Sequence, residues 1–215
     1  MIPRSLILDL DGTLIDSRPG ILDSFAVAVQ AIFPGIEFDP ATIVLGPPIR
    51  QMFQASFPEA GEMERERLFR AFREHYDSAG SLKTQLYDGA REVLACCQRR
   101  GINLYIATNK PLHISTAILS HFKIGHYFQS ILASDSTQPP FPDKTAMIRH
   151  LLRENGLDAG VTFHVGDSVE DAIAAAQCGV RFIWAAYGYG KLEAGPTTPP
   201  FGAIKTLGEL TRFLG

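Results

Sequence analysis

Residues 5–17 read SLILDLDGTLIDS, and this stretch decides the fold. It opens with the short run Ser5–Leu10, which is apolar apart from Ser5 and Asp9 and is typical of a β-strand covered on both faces. Gly12 then permits a sharp turn away from the strand. Asp9 and Asp11 therefore stand at the carboxyl end of a buried strand, where open α/β sheets bind their ligands.

Downstream of this strand, the chain alternates between predicted strands and helices. Short, mostly apolar segments predict further strands at Asn103–Thr108, Ser130–Ser134, Thr162–Gly166 and Arg181–Ala186. Amphipathic stripes at helical spacing lie between them. This alternation indicates an α/β fold built on a doubly wound parallel sheet with right-handed crossovers.

Residues 18–82 break the alternation. They contain apolar stripes at helical spacing, such as Ile21, Phe25 and Val29, but no good strand. We therefore predict a catalytic core of residues 1–17 and 83–215, with a small all-helical cap domain, residues 18–82, inserted after the first strand.

Composition narrows the class of protein. The chain has 215 residues, of which 46% are hydrophobic, so it can bury a sizeable core. A net charge of −3 argues against a general nucleic-acid or anionic-membrane binder. The 3 cysteines suit neither a disulfide framework nor a zinc site. Since neither a secretory signal nor a membrane span is visible, we expect a cytoplasmic protein. We expect it to be a monomer or homodimer.

A second acidic cluster, GDSVED at residues 166–171, closes another predicted strand. Taken alone, the cluster is equally well explained as a helix start, with Ser168 as N-cap and acidic residues in the first turn. Beside Asp9 and Asp11 the balance changes, because like charges about 4 Å apart repel by about 4 kcal/mol at an effective dielectric of about 20. These aspartates together with Asp167 call for a cation, and an all-oxygen ligand set points to Mg²⁺.

Two further strand-end segments carry groups that suit a phosphate. Thr108 and Asn109 end a predicted strand just before a helix start, where a hydroxyl, an amide and free backbone N–H groups form an anion site. Lys144 follows a proline-rich loop, with Asp143 as the predicted helix cap. Each segment also has a structural interpretation, with Thr108 and Asn109 only as caps and Lys144 as an ordinary exposed lysine.

In this order and spacing, DLDGTLIDS, Thr108, Lys144 and GDSVED resemble the signature of the haloacid dehalogenase (HAD) superfamily. Residues 45–50 (LGPPIR), 86–94 (LYDGAREVL) and 187–190 (YGYG) are similar to segments of phosphoglycolate-phosphatase-like members. The resemblance covers the whole chain and implies a HAD-like Rossmannoid core with a cap. One departure is that Lys144 lacks the Pro-x-Pro segment that follows this lysine in many relatives.

The resemblance implies a phosphatase that hydrolyses a small phosphorylated metabolite, such as phosphoglycolate or a sugar phosphate, through an aspartyl-phosphate. Asp9 would be the nucleophile, and Asp11 would first protonate the leaving group and then activate water. Thr108 and Asn109 would hold the phosphoryl oxygens. Lys144 would neutralise charge on Asp9 and on the phosphate.

The resemblance also implies the ligands of a Mg²⁺ ion. Asp9, the backbone carbonyl of Asp11 and Asp167 would bind the ion, and Asp171 would support them from a second layer. Because its two-stage role requires a change of protonation, the Asp11 carboxyl is expected to stay off the metal and apart from bulk water.

In the family the cap opens and closes over the site, so cap residues are expected to contact the leaving group. Arg50 is the candidate for a carboxylate or second phosphate of the substrate, since a guanidinium pairs bidentately with such groups. A solvated arginine explains this residue as well. Arg18 is a weaker alternative.

Other activities on the same scaffold stay open. A phosphomutase of the β-phosphoglucomutase type would use the same Asp9 and Asp11, and a phosphate-binding regulator would use the site without catalysis. A dehalogenase would leave Asp11 without a role, and a phosphonatase would need a cap lysine, which residues 18–82 lack. His164, inside a predicted strand, is interpreted as an interior histidine with satisfied hydrogen bonds.

Overall fold

A computed structural model of the chain describes residues 2–192 and 199–215. It divides into two compact units, the first comprising Met1–Asp16 with Leu86–Gly215 and the second Ser17–Gln85. Within the described residues, no helix combines the length and the apolar character needed to cross a membrane.

The strands in chain order are β1 (Ser5–Leu8), β2 (Ile15–Asp16), β3 (Gln85–Leu86), β4 (Asn103–Thr108), β5 (Phe128–Ala133), β6 (Thr162–Gly166), β7 (Arg181–Ala185) and β8 (Gly202–Ile204). The first unit is built on a 6-stranded parallel sheet with the strand order β5-β4-β1-β6-β7-β8. The short strands β2 and β3 lie outside the large sheet. The predicted α/β fold with a doubly wound parallel sheet is confirmed, although β8 is not among the predicted strands.

The helices in chain order are α1 (Arg18–Ile32), α2 (Ile49–Ser56), α3 (Glu62–Ser78), α4 (Ala90–Arg99), α5 (Leu112–His121), α6 (Lys144–Glu154) and α7 (Val169–Cys178). In the first unit, Met147 and Ile148 of α6 share a buried apolar cluster with Ala172 of α7 and Ile7 of β1. Burial of this cluster fixes α6 and α7 on the sheet, because apolar area removed from water contributes about 25 cal/mol per Å².

The register of the central strands sets the position of the site. Leu8 of β1 pairs with Ile106 of β4 on one side and with Val165 of β6 on the other. These neighbouring parallel strands therefore end at nearly the same level. The residues that follow them meet at the carboxyl edge, where the strand order reverses and open α/β sheets bind ligands.

The second unit is helical and packs around aromatic side chains. Phe25 of α1 stacks on Phe53 of α2, with ring centroids 4.0 Å apart, and Phe72 of α3 meets Phe53 edge-on at 6.1 Å. All three rings are buried. Aromatic pairs in these geometries contribute about 0.5–1.5 kcal/mol beyond the burial of their area. The apolar stripes of the sequence thus face one another in this unit.

Candidate active site

Asp9 is the residue that directly follows β1. Its backbone N–H donates to the carbonyl of Val165 at 2.9 Å, which extends the β1–β6 ladder by one residue. The side chain is buried, with Oδ1 3.1 Å from the Nζ of Lys144. Burial raises the pKa of Asp9 well above its ordinary value, Lys144 opposes this rise, and neighbouring carboxylates add to it. Asp9 is therefore a desolvated carboxyl group, and its ionised form is stabilised by nearby positive charge.

Lys144 begins α6 and lies between two carboxyl groups. Its Nζ is 2.6 Å from Asp171 Oδ1 and 3.1 Å from Asp9 Oδ1, and the residue is 2% exposed. Asp143 caps α6 by accepting a hydrogen bond from Ala146 N at 2.8 Å, as predicted. Burial lowers the pKa of Lys144, but attraction to Asp171 and Asp9 outweighs this and raises the pKa above its ordinary value. Lys144 is thus a fixed interior cation and not an exposed lysine.

Asp171 is fully engaged by protein donors. Its Oδ2 accepts from the backbone N of Ser168 at 3.0 Å and from the Ser168 hydroxyl at 2.5 Å. Its Oδ1 lies 2.6 Å from Lys144 Nζ and 2.9 Å from Nε2 of His164. Burial alone would raise the pKa of Asp171, but Lys144 and His164 hold it well below the usual range. With both oxygens occupied, Asp171 has little capacity left for a direct metal bond.

Asp167 follows β6 and is enclosed by glycine-rich backbone. Its Oδ2 accepts hydrogen bonds from the backbone N–H groups of Tyr189 at 2.6 Å and Gly190 at 3.0 Å. Gly12, at a φ of 74°, approaches so closely that a Cβ there would lie 2.2 Å from the same oxygen. Burial raises the pKa of Asp167, Asp171 adds to the rise, and the two N–H donors oppose it. The remaining oxygen, Oδ1, accepts from neither of these N–H groups.

Asp11 is paired with a lysine. The Nζ of Lys110 lies 3.0 Å from Asp11 Oδ1 and 3.1 Å from Oδ2. The Asp11 side chain is 27% exposed, so it is only partly shielded from bulk water, and the Lys110 side chain is 6% exposed. The expectation that Asp11 is set apart from water therefore holds only in part for this structure.

The predicted phosphate-binding residues differ in their surroundings. Thr108, the last residue of β4, is buried, and its hydroxyl accepts a hydrogen bond from the backbone N–H of Lys110 at 3.2 Å. Asn109 is exposed, and its amide donates to Glu170 Oε2 at 2.8 Å. The N–H of Leu112, at the start of α5, donates to Asp135 Oδ1 at 2.8 Å and so is not free to bind an anion.

The candidate specificity residues lie in the second unit. Arg50 is exposed and pairs with Glu66, and its guanidinium carbon lies 3.9 Å from the ring centroid of Phe69. The guanidinium therefore already has an anionic partner and an aromatic neighbour within the unit. Arg18 is the first residue of α1 and is exposed. Roles of these arginines toward a substrate stay predictions.

The acidic residues form a group whose chemistry suits a hard cation. Ligand oxygens of Asp9, Asp167 and Asp171 all lie within 4.8 Å of one another, and all three residues are buried. Since protein donors occupy both oxygens of Asp171, Asp9 and Asp167 are the carboxylates left to take a metal. Burial and neighbouring carboxylates raise the pKa of both Asp9 and Asp167. Buried oxygen donors of this kind fit a divalent cation such as Mg²⁺.

Sequence reasoning does not assign functional contacts to Lys110, His164 or Tyr189. For Lys110, the sequence signal is its position two residues after Thr108, the polar residue at which β4 ends. For His164, the signal is a polar ring in an otherwise apolar strand. Tyr189 belongs to the YGYG segment, whose contact with Asp167 joins positions 22 residues apart.

The sequence and the fold are both similar to those of known proteins. The sequence model of the haloacid dehalogenase-like hydrolases matches residues 6–185. A 5′-nucleotidase from Pseudomonas aeruginosa is 35% identical over 193 residues, covering 86% of this chain and 84% of that protein. A phosphoglycolate phosphatase from Pseudomonas fluorescens is 31% identical over 195 residues, covering 87% of this chain and 71% of that protein. The crystal structure of a candidate phosphatase from Clostridium difficile superposes with a TM-score of 0.89 at 26% identity, covering 100% of both chains.

The chain therefore belongs to the haloacid dehalogenase-like hydrolase family. The resemblance inferred from DLDGTLIDS and GDSVED, including its phosphoglycolate-phosphatase-like character, is confirmed.

Proposed function

We propose that this protein is a Mg²⁺-dependent phosphatase that hydrolyses a small phosphomonoester through an aspartyl-phosphate on Asp9. The observation that carries the proposal is the position of Asp9: its carboxylate is buried at the carboxyl edge of β1, with Oδ1 3.1 Å from Lys144 Nζ and beside Asp167. Support for a phosphoric monoester hydrolase comes from the family and from the named phosphatase and nucleotidase relatives.

In this proposal, Asp9 attacks phosphorus while its own negative charge is balanced by Lys144. A carboxylate facing a phosphate dianion requires such compensation, because fixed charges in a water-poor site act far more strongly than in bulk water. Bound Mg²⁺, held by Asp9, Asp167 and the Asp11 carbonyl, would supply further positive charge at the phosphoryl oxygens. Thr108 would contribute a hydroxyl at the end of the adjacent strand.

Asp11 has the proposed acid–base role. It would donate a proton to the leaving alkoxide and then accept one from the water that hydrolyses the aspartyl-phosphate. Lys110 contacts both carboxylate oxygens of Asp11. Asp11 must therefore loosen this pair to pass its proton to the leaving oxygen.

The proposed substrates are phosphoglycolate and sugar phosphates. Nucleoside 5′-monophosphates form a second class, favoured by the 5′-nucleotidase relative at 35% identity. Arg50 is proposed as a contact for a carboxylate or second phosphate; this role would require Arg50 to leave Glu66. A phosphomutase of the β-phosphoglucomutase type is the alternative use of Asp9 and Asp11.

The test is phosphate release from a panel of phosphoglycolate, sugar phosphates and nucleoside 5′-monophosphates, with Mg²⁺ and then with excess chelator. We expect release from one class, dependent on Mg²⁺ and lost in Asp9→Asn. Asp158→Asn, the same chemical change at an exposed helix cap, should release phosphate like the wild type. Isomerised sugar phosphate without net release would indicate the mutase, and silence across the panel would contradict the proposal.

A further inference from the structure

His164 lies in the middle of β6 with no exposed surface. Its ring spans two oxygen acceptors, with Nδ1 3.0 Å from the carbonyl of Ile7 and Nε2 2.9 Å from Asp171 Oδ1. His164 thus has satisfied hydrogen bonds, as the sequence analysis predicts, but one of its partners belongs to the candidate site.

The oxygen that faces His164 also faces the lysine of the site. Asp171 Oδ1 is 2.9 Å from His164 Nε2 and 2.6 Å from Lys144 Nζ. The same Lys144 Nζ is 3.1 Å from Asp9 Oδ1. Exposure along this row is 0% for His164 and Asp171, 2% for Lys144 and 7% for Asp9. A continuous, water-poor row of contacts therefore leads from the sheet interior to Asp9.

Donors on opposite sides determine the orientation of the Asp171 carboxylate. Ser168 holds Oδ2, and His164 with Lys144 holds Oδ1. Gly166 packs so closely that a Cβ there would lie 2.2 Å from Asp171 Cγ. Without His164, Oδ1 would keep a single flexible donor, because a lysine ammonium rotates on a four-carbon stem. The carboxylate and the ammonium could then shift together.

We propose that His164 is a positioning residue that fixes Asp171 Oδ1 and, through it, the ammonium of Lys144 against Asp9. The histidine itself is too deeply buried to touch a substrate. The catalytic consequence rests on the proposed phosphatase function, whereas the placement of Lys144 does not. The row of contacts also explains why a polar ring is retained in the interior of a central strand, where an apolar side chain would pack without needing hydrogen bonds.

His164→Phe tests the inference, because phenylalanine keeps a ring of similar size and removes both ring nitrogens. Loss of a partner that orients a ligand typically costs about 10- to 100-fold in activity, so we expect kcat to fall by about that factor with KM little changed. Thr162→Val is the matched control: Thr162 lies on the same strand and is buried, and its hydroxyl donates to the backbone carbonyl of Asp158 at 2.8 Å. It should retain wild-type kcat even if its thermal midpoint falls.

A second readout does not depend on turnover. In nitrogen-15 lysine-labelled protein, the ammonium signal of Lys144, identified by its absence in Lys144→Arg, should be protected from solvent exchange in the wild type and in Thr162→Val. His164→Phe should shift this signal or abolish it. If wild-type protein releases no phosphate while the signal still responds to His164→Phe, the proposed function fails and the positioning role stands.

His164→Gln is a second variant that keeps the inference testable if His164→Phe does not fold. Glutamine can still donate to Asp171, so it should recover part of the kcat and part of the protection of the Lys144 signal. The inference is overturned if His164→Phe lowers only the thermal midpoint, with kcat and the Lys144 signal unchanged. It is also overturned if the glutamine variant, folded to the same extent as the control, is as impaired as the phenylalanine variant.

Discussion

Lys110 holds both carboxylate oxygens of Asp11, with its Nζ 3.0 Å from one and 3.1 Å from the other. The Asp11 side chain is 27% exposed, whereas Asp9, Asp167 and Asp171 are buried, with ligand oxygens within 4.8 Å of one another. The two lysines thus contact different carboxylates: Lys144 lies against the proposed nucleophile Asp9 and against Asp171, and Lys110 lies against the proposed acid–base residue Asp11.

Asp11→Asn should lower turnover by about 10²- to 10⁴-fold and leave Mg²⁺ affinity largely intact. The amide cannot transfer a proton, and loss of general acid–base catalysis costs about 10²- to 10⁴-fold in rate. The proposed metal contact of Asp11 is its backbone carbonyl, which the substitution keeps. Calorimetric titration with Mg²⁺ beside steady-state kinetics checks both statements, and a large drop in Mg²⁺ affinity would show that the carboxylate itself binds the ion.

Lys110→Met should lower kcat, because Asp11 loses the cation that orients it. A hydrogen bond to a charged group contributes about 1.5–3 kcal/mol, which corresponds to about 10- to 150-fold in rate if it is lost in the transition state. Lys110→Arg should restore part of the activity. Lys205→Met, at an exposed position, is the control for loss of one positive charge. Equal kcat in the Lys110→Met and Lys205→Met variants would show that Lys110 does not support catalysis through Asp11.

Gly188→Ala should weaken the Mg²⁺ site by displacing Asp167. A Cβ at Gly188 would lie 2.3 Å from the Cβ of Asp167 and 2.4 Å from the carbonyl oxygen of Gly12, far inside contact distance. Such overpacking typically costs about 1–3 kcal/mol of stability and shifts the backbone. Gly208→Ala, where no atom lies within 4 Å of the added Cβ, should be neutral. Urea unfolding and Mg²⁺ titration of both variants decide the matter, and unchanged Mg²⁺ affinity in Gly188→Ala would contradict this reason for the glycine.

Asp171→Asn should destabilise the fold near neutral pH and matter less in acid. Burial alone would raise the pKa of Asp171, yet Lys144 and His164 hold it below the usual range, so the ionised form stabilises the folded state. This contribution is complete above the unfolded pKa of about 3.9 and is lost as the pH falls below that value. Breaking a buried ion pair typically costs about 3–5 kcal/mol. Urea unfolding at pH 7 and pH 3 should show a stability gap that narrows in acid; a gap of constant size would contradict the ion-pair explanation.

The sheet was predictable because buried parallel strands appear in sequence as short apolar runs. Asn103–Thr108 and Thr162–Gly166 were predicted with the bounds observed for β4 and β6. β8 was not, because its 3 residues, Gly202–Ile204, contain too few apolar positions to form a pattern. Its pairing with β7 depends on a contact that only the folded chain makes.

Within the candidate site, contacts that depend only on strand topology could be predicted. Contacts that depend on the length and direction of a side chain could not. Parallel strands share one edge, so the approach of Asp9 and Asp167 follows from topology alone. The contact of Lys110 with Asp11 joins residues 99 positions apart and depends on the reach of a lysine side chain. Likewise, nothing in an apolar strand tells which way the ring of His164 turns, and the choice of Asp171 as its partner follows only from the packing of α7 on β6.

The most direct test is to ask whether Asp9 becomes phosphorylated. Wild-type protein mixed with the best substrate of the panel and quenched in acid within milliseconds should yield a peptide carrying one phosphoryl group on Asp9, located by mass spectrometry. Asp9→Asn should yield none, and Asp11→Asn should accumulate little turnover product. A phosphoryl group on another residue, or steady turnover in Asp9→Asn at the wild-type rate, would contradict the account.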